Sequence, residues 1–346
     1  MAGPRGYSSY HGRGSKKKIL LAVLLVLVIL VAVTVILLEK YIVYDESGVP
    51  HLTLPPQTEE VVPPQNEDDL NLTIEPAEKG GKITAFTVTE TPLTSGGWQT
   101  AYAAAASAQD AYNAAAVTMK GGDGTVYFSA RTPAAAPFMS TVGDTAAAIS
   151  ALTGEKGVYA IARFSCFHDP RAAMADVAGM GLKNTGGYIF YDGNNSQWLD
   201  PGKPAARQYL CALAKELAAM GFDEILLTDV SYPTEGKLDK IDYGETMKTQ
   251  NLEAFLDEMR TALSEYDVKL SIELPQEVIA QGSDNIAGLT LADIAPRVDR
   301  VYAATTAAQR ETLAQAVAAA GDKTDFIPEL KSGDTAPQGE SQLILP

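Results

Sequence analysis

Among 346 residues there are two cysteines, Cys166 and Cys211, and three histidines, His11, His51 and His168. So few thiols exclude a disulfide scaffold and a cysteine-based zinc module. So few imidazoles exclude a multi-histidine catalytic metal site, and leave His168 to carry any histidine chemistry in the folded body. Positive charge is scarce as well: 27 Lys+Arg stand against 43 Asp+Glu, a net charge of −16. A nucleic-acid backbone needs a basic footprint, so no nucleic-acid partner is expected. The dinucleotide fingerprint is missing, because Gly179-Met180-Gly181 has neither a third glycine nor a preceding strand, and no P-loop is present. Asp192-Gly193-Asn194-Asn195 lacks the alternating acids and closing glutamate of a calcium loop. No cofactor and no metal are therefore expected.

Apolar residues are plentiful, at 46% of the chain, and one block of them is continuous. Ile19 to Leu38 runs without a charge. At about 1.5 Å rise per residue, such a helix spans about 30 Å, one hydrocarbon core. Arg5, Arg13, Lys16, Lys17 and Lys18 precede it without an acid, whereas Glu39, Lys40, Asp45 and Glu46 follow. That asymmetry predicts a cytoplasmic tail (1–18), a single transmembrane helix (19–38) and an extracellular body on the cell membrane. A cleaved signal peptide is the weaker reading, because the run is long and no small-x-small site closes it. Residues 39–81 carry Pro50, Pro55, Pro56, Pro63, Pro64 and Pro76 and the run Glu67-Asp68-Asp69, and read as an acidic, Pro-rich tether.

From residue 82 to 346, short β-rich runs alternate with Ala-rich helical stretches. Strands are predicted at 83–88, 114–119, 157–164, 224–229, 268–274, 297–302 and 325–329, and 342–346 is a candidate eighth. Helices are predicted at 98–113, 144–152, 203–220, 246–265, 290–295 and 306–320. Continuous apolar strands separated by helices imply a parallel sheet covered on both faces. The expected fold is an α/β (β/α)8 TIM-type barrel, with an open doubly wound sheet as the alternative. In such a barrel the chemistry lies after the strand C-termini. Those positions hold Arg163, Cys166, His168 and Asp169, then Thr228, Asp229 and Tyr232, then Glu273, then Glu329. The long connection over 165–200 adds Tyr188, Tyr191, Asp192 and Trp198, and its length points to an excursion facing substrate.

Three segments carry a family resemblance. They are Gly157-Val158-Tyr159-Ala160-Ile161-Ala162-Arg163 with Phe167-His168-Asp169-Pro170; Trp198-Leu199-Asp200-Pro201; and Gly221-Phe222-Asp223-Glu224-Ile225 with Val230-Ser231-Tyr232-Pro233. Together they resemble the glycosyl hydrolase domain of membrane-anchored or secreted bacterial proteins, a barrel distantly similar to α-amylase-type enzymes. The resemblance covers about 82–330. It implies a carbohydrate-active barrel acting on envelope or environmental polysaccharide or oligosaccharide. Departures accompany it. Thr228 stands where the family usually has aspartate, with Asp229 one step on. Thr118 replaces an aspartate in the second strand, and Tyr302-Ala303-Ala304 replaces a Met-Tyr-Pro motif. Ser271-Ile272-Glu273 keeps a carboxylate.

Glycoside hydrolysis needs a protonated acid at the leaving oxygen and a second carboxylate as nucleophile or base. By similarity to amylase-like barrels, Asp229 is the expected nucleophile or stabiliser and Glu273 the expected general acid. Arg163, His168, Tyr191, Asp192, Trp198 and Tyr232 are the expected substrate contacts. Strand alternation would turn Asp229 away from the barrel interior unless a bulge intervenes. A catalytically inactive carbohydrate-binding or scaffolding barrel is therefore the second expectation.

Overall fold

The computed structural model describes residues 42–44, 50–52, 81–107, 112–334, 336 and 340–346. The chain divides into two compact units, Met1–Thr73 and Ile74–Pro346. In the first, Ile42–Tyr44 and Pro50–Leu52 pair as a small antiparallel hairpin, a feature not expected within the tether. The expected membrane helix at 19–38 lies outside the described residues. Among the described residues no helix is long and apolar enough to cross a membrane.

The second unit is a closed barrel of eight parallel strands. In chain order they are β1 (Thr84–Val88), β2 (Ala114–Lys120), β3 (Tyr159–Ser165), β4 (Glu224–Thr228), β5 (Lys269–Glu273), β6 (Arg300–Ala304), β7 (Asp325–Lys331) and β8 (Gln342–Leu345). Each pairs with its sequence neighbours, and β8 returns to β1 through Gln342 opposite Thr84 and Ile344 opposite Phe86. The candidate eighth strand thus completes the barrel, and the open sheet is ruled out.

Among the described residues eight α-helices accompany the strands: α1 (Ser95–Ser107), α2 (Thr145–Gly154), α3 (Pro170–Ala175), α4 (Pro204–Ala219), α5 (Lys248–Leu263), α6 (Gln276–Gln281), α7 (Leu291–Ile294) and α8 (Arg310–Ala320). The expected helices recur, α1 starting three residues early and α8 four residues late. In α4, Pro204 supplies a first-turn φ without needing a partner for a missing N–H. Buried Ala206, Tyr209, Leu210, Leu213, Ala214 and Leu217 recur every three or four positions and so form one face, which buried Cys211 and Ala218 widen. Gly221 follows in the left-handed conformation (φ +92°), which lets the chain turn straight into β4.

Side-chain alternation along the strands builds two cores. Ala85, Ala114, Ala116, Ile161, Leu226, Ile327 and Leu343 fill the barrel interior with Tyr159 and Tyr302. Alanine is a poor strand former, yet the narrow interior favours it at Ala114 and Ala116, where a larger side chain would overpack. The outward residues Ala115, Val117, Ala160, Ala162, Ile225 and Leu227 join the larger core under the helices. At the N-terminal end of the barrel, Glu224 bridges Arg300 and accepts from the Tyr302 hydroxyl at 2.8 Å. Both charges are fully buried, so their stability rests on this pairing.

Candidate active site

The C-terminal end of the barrel gathers the ionisable groups. Arg163 lies on β3, Glu273 closes β5 and Glu329 lies on β7. The Arg163 guanidinium forks between both carboxylates. Nη2 bridges Glu273, and Nη1 donates to Glu329 Oε1 at 2.6 Å. Glu329 is 2% exposed and Glu273 31% exposed, so Glu329 is the buried anchor and Glu273 the solvent-facing member. Burial works against the Arg163 charge, but Glu329 and then Glu273 outweigh it and raise its proton affinity. Burial, the Glu329 charge and the Asp229 charge push Glu273 up to about 7, against the opposing pull of Arg163.

Asp229 owes its placement to its backbone. On β4, Glu224 and Leu226 face the barrel interior, as the Tyr302 contact and the inner core show. Thr228 continues that face, so strict alternation would send Asp229 outward. Asp229 instead adopts φ +54°, the left-handed region that aspartate tolerates better than most non-glycine residues. Its carboxylate turns back to the mouth, where Oδ2 accepts from Ser165 Oγ at 2.6 Å and from Thr228 Oγ1 at 3.3 Å. The local irregularity on which its expected role depended is present. Two N–H donors, Cys166 to the Thr228 carbonyl (2.9 Å) and Phe167 to the Asp229 carbonyl (3.1 Å), carry the β3–β4 ladder past the strand ends and hold this turn.

His168 follows directly. Phe167 is fully buried and meets Phe255 of α5 edge-on at 4.8 Å, which anchors the turn. The His168 ring stacks on Trp198 at 4.7 Å, and its Nε2 lies 2.7 Å from Ser196 Oγ. Asp192 organises the opposing loop. Oδ1 accepts from the N–H groups of Asn194 (2.9 Å) and Ser196 (2.8 Å), and Oδ2 accepts from Trp198 Nε1 at 2.8 Å. Asp192 thus places Trp198 and Ser196, and its oxygens are spent on that work. Tyr191 and Tyr188 are exposed nearby in sequence on the same excursion. Tyr232, an expected substrate contact, is instead fully buried, with its hydroxyl accepting from Asn251 Nδ2 at 2.9 Å. Cys166 is fully buried, and burial holds its thiol well above the ordinary range, far from nucleophilic use.

Beneath the mouth lies an ion pair that the sequence reading missed. Lys120 Nζ sits 2.9 Å from Asp169 Oδ2, with both side chains fully buried. The ammonium also donates to the Ser165 carbonyl at 2.9 Å, and Asp169 Oδ1 caps α3 by accepting from Ala172 N at 2.9 Å. Ser165 itself was also missed. Its signal was available, since it stands two residues beyond Arg163 on the same strand face. Ser196 gave no such signal.

An eight-stranded parallel barrel with its helices alongside is a TIM barrel, and its acidic groups stand at the C-terminal strand ends, where the active sites of such barrels lie. Residues 100–326 match the family described as "Putative glycosyl hydrolase domain", and the chain belongs to that family. No curated protein matches it. Among solved structures, the chain is similar to a hypothetical protein from Ruminiclostridium thermocellum, with 24% identity over 55% of this chain and 96% of that one, at a TM-score of 0.47. It is also similar to the PgaB (BpsB) glycoside hydrolase domain from Bordetella bronchiseptica, with 17% identity over 68% of this chain and 84% of that one, at a TM-score of 0.46.

Proposed function

We propose that the chain is a membrane-anchored glycoside hydrolase acting on polysaccharide or oligosaccharide outside the cell. The observation that carries this reading is the inward turn of Asp229 toward the mouth that holds Glu273. A group titrating near neutrality retains a proton to give, so Glu273 protonates the glycosidic oxygen as its bond to the anomeric carbon breaks. Asp229, steadied by two hydroxyl donors, meets the positive charge that develops on the sugar. Trp198 and His168 offer a stacked pair of rings to a sugar face. The test is release of reducing sugar from a glycan panel by the full chain in detergent micelles. Glu273→Gln and Asp229→Asn are each expected to lower turnover by roughly 10²-fold or more. Turnover untouched by either change overturns the assignment.

One observation favours a second reading, a non-catalytic carbohydrate-binding barrel: Arg163 already engages Glu273. Glycan binding without cleavage in the same assay selects it. The anchor rests on the apolar run 19–38 and its cationic flank. The full chain is expected to sediment with membranes and to resist alkaline extraction. Release by alkali overturns the anchor.

A further inference from the structure

The excursion after β3 carries a second aromatic surface beyond the Trp198–His168 stack. Gly181 bridges Leu199 and Lys183 bridges Ile189, both antiparallel, so residues 181–184 run between two other extended segments. Leu182 N donates to the Trp198 carbonyl at 2.8 Å, and Asn184 N donates to the Tyr188 carbonyl at 2.8 Å. Trp198 and Tyr188 therefore flank the central segment from opposite sides, two residues apart along it. At about 4.8 Å between strands and about 3.3 Å per residue, their backbones lie roughly 12 Å apart.

This small sheet sorts its apolar side chains. Leu182, Phe190 and Leu199 are buried, whereas Tyr188 and Tyr191 stay at the surface. Tyr188 is 75% exposed, the most of any large apolar or aromatic side chain among the described residues. Among those residues its hydroxyl makes no hydrogen bond and its ring meets no other ring.

Exposure here does not bring freedom. Asn184 Oδ1 accepts from Gly186 N at 2.9 Å and from Tyr188 N at 3.2 Å, and Gly187 N closes the turn on the Asn184 carbonyl at 2.8 Å. Gly187 holds φ +82°, a conformation that glycine adopts at no steric cost. The Tyr188 ring leans on Gly186, because a Cβ there would meet its Cδ2 at 3.4 Å, an ordinary contact. Thr185 N donates to the Lys240 carbonyl at 2.8 Å and Asp242 N to the Lys183 carbonyl at 2.9 Å, which fastens the hairpin to the loop after β4. A ring presented on so constrained a turn gives up little entropy when a flat partner lies on it. Its apolar face suits the C–H face of a sugar ring, and its hydroxyl suits the sugar's own hydroxyls.

We propose that Tyr188 forms a distal sugar-stacking subsite continuous with Trp198, so the substrate is an extended glycan chain rather than a disaccharide. The inference rests on the carbohydrate reading above and names its substrate class. A single sugar unit seated on Trp198 does not reach Tyr188, whereas a short run of units meets both rings.

The test measures binding of malto-, cello- and chito-oligosaccharide ladders, from dimer to octamer, to the full chain in detergent micelles. In one ladder affinity is expected to rise with length. Tyr188→Ala is expected to cut the octamer-over-dimer gain by about fivefold or more, and Tyr188→Phe, which restores the ring, to keep most of it. The side chain is exposed, so alanine removes no core packing, and thermal melts report that the variants remain folded. A wild type that gains nothing with length overturns this inference and leaves the carbohydrate reading standing. So does a gain that survives Tyr188→Ala, or a loss equal for dimer and octamer. Absence of binding in every ladder overturns both.

Discussion

Asp169→Asn isolates the worth of one buried charge. The asparagine keeps the Oδ1 acceptor that caps α3 at Ala172 N, so the helix start is preserved. What is lost is the negative charge 2.9 Å from Lys120 Nζ, in a place where neither side chain meets solvent. The ammonium then retains the Ser165 carbonyl as a partner and faces an amide with no counter-charge. Removing one member of a buried pair costs about 3–5 kcal/mol, because the other charge stays buried. A domain of this size loses about 2–4 °C in Tm per kcal/mol, so the expected fall is roughly 6–20 °C. Lys120→Met combined with Asp169→Asn removes both charges and is expected to recover most of the loss. Scanning calorimetry of the wild type, both single variants and the double variant completes the cycle. An Asp169→Asn protein within about 1 kcal/mol of wild type, or a double variant no better than the single, refutes the reasoning.

Other predictions concern the mouth. If Glu273 gives the proton, the working form is the protonated one, so turnover should fall as pH rises through about 7, and Glu273→Gln should abolish that limb; a pH–rate profile shows whether it does. Glu329→Gln removes the charge that, after burial, most raises Glu273, so the same limb should move to lower pH, and an unmoved limb refutes the coupling. The chain has two tryptophans, and Trp98 is buried against Phe86 and Tyr102, so a change in emission on adding glycan should come from Trp198 and vanish in Trp198→Phe. Asp192→Ala should strip three hydrogen bonds from the Trp198 loop, raising KM more than it lowers kcat in steady-state assays.

The barrel was legible because its strands are short continuous apolar runs, each with helix on one side and barrel interior on the other, and that pattern survives without tertiary knowledge. Arg163, Glu273 and His168 were legible from their places at or just after strand ends. Asp229 was legible as a residue but not as a direction. Its orientation depends on a single backbone angle, and period-two reasoning left the side it faces conditional on a local irregularity that no residue pattern announces. Tyr232 failed the opposite way, since proximity in sequence to Asp229 did not reveal that Asn251, on a later helix, claims its hydroxyl. The Lys120–Asp169 pair joins residues 49 positions apart through their side chains, and no local spacing announces such a meeting.

Closure of the ring through β8 has a consequence for how the molecule is born. Thr87 donates to the Ile344 carbonyl, and Ile83 N donates to Ser341 Oγ, across 257 and 258 positions of chain. A ribosome must release residue 345 before this seam can form. Until then β1 and β7 lack the partner that covers one edge of each in the finished barrel, and such edges are open to pairing with any passing strand. Such distant partners make for slow assembly, and whatever shelters those edges during synthesis decides how many chains finish as barrels.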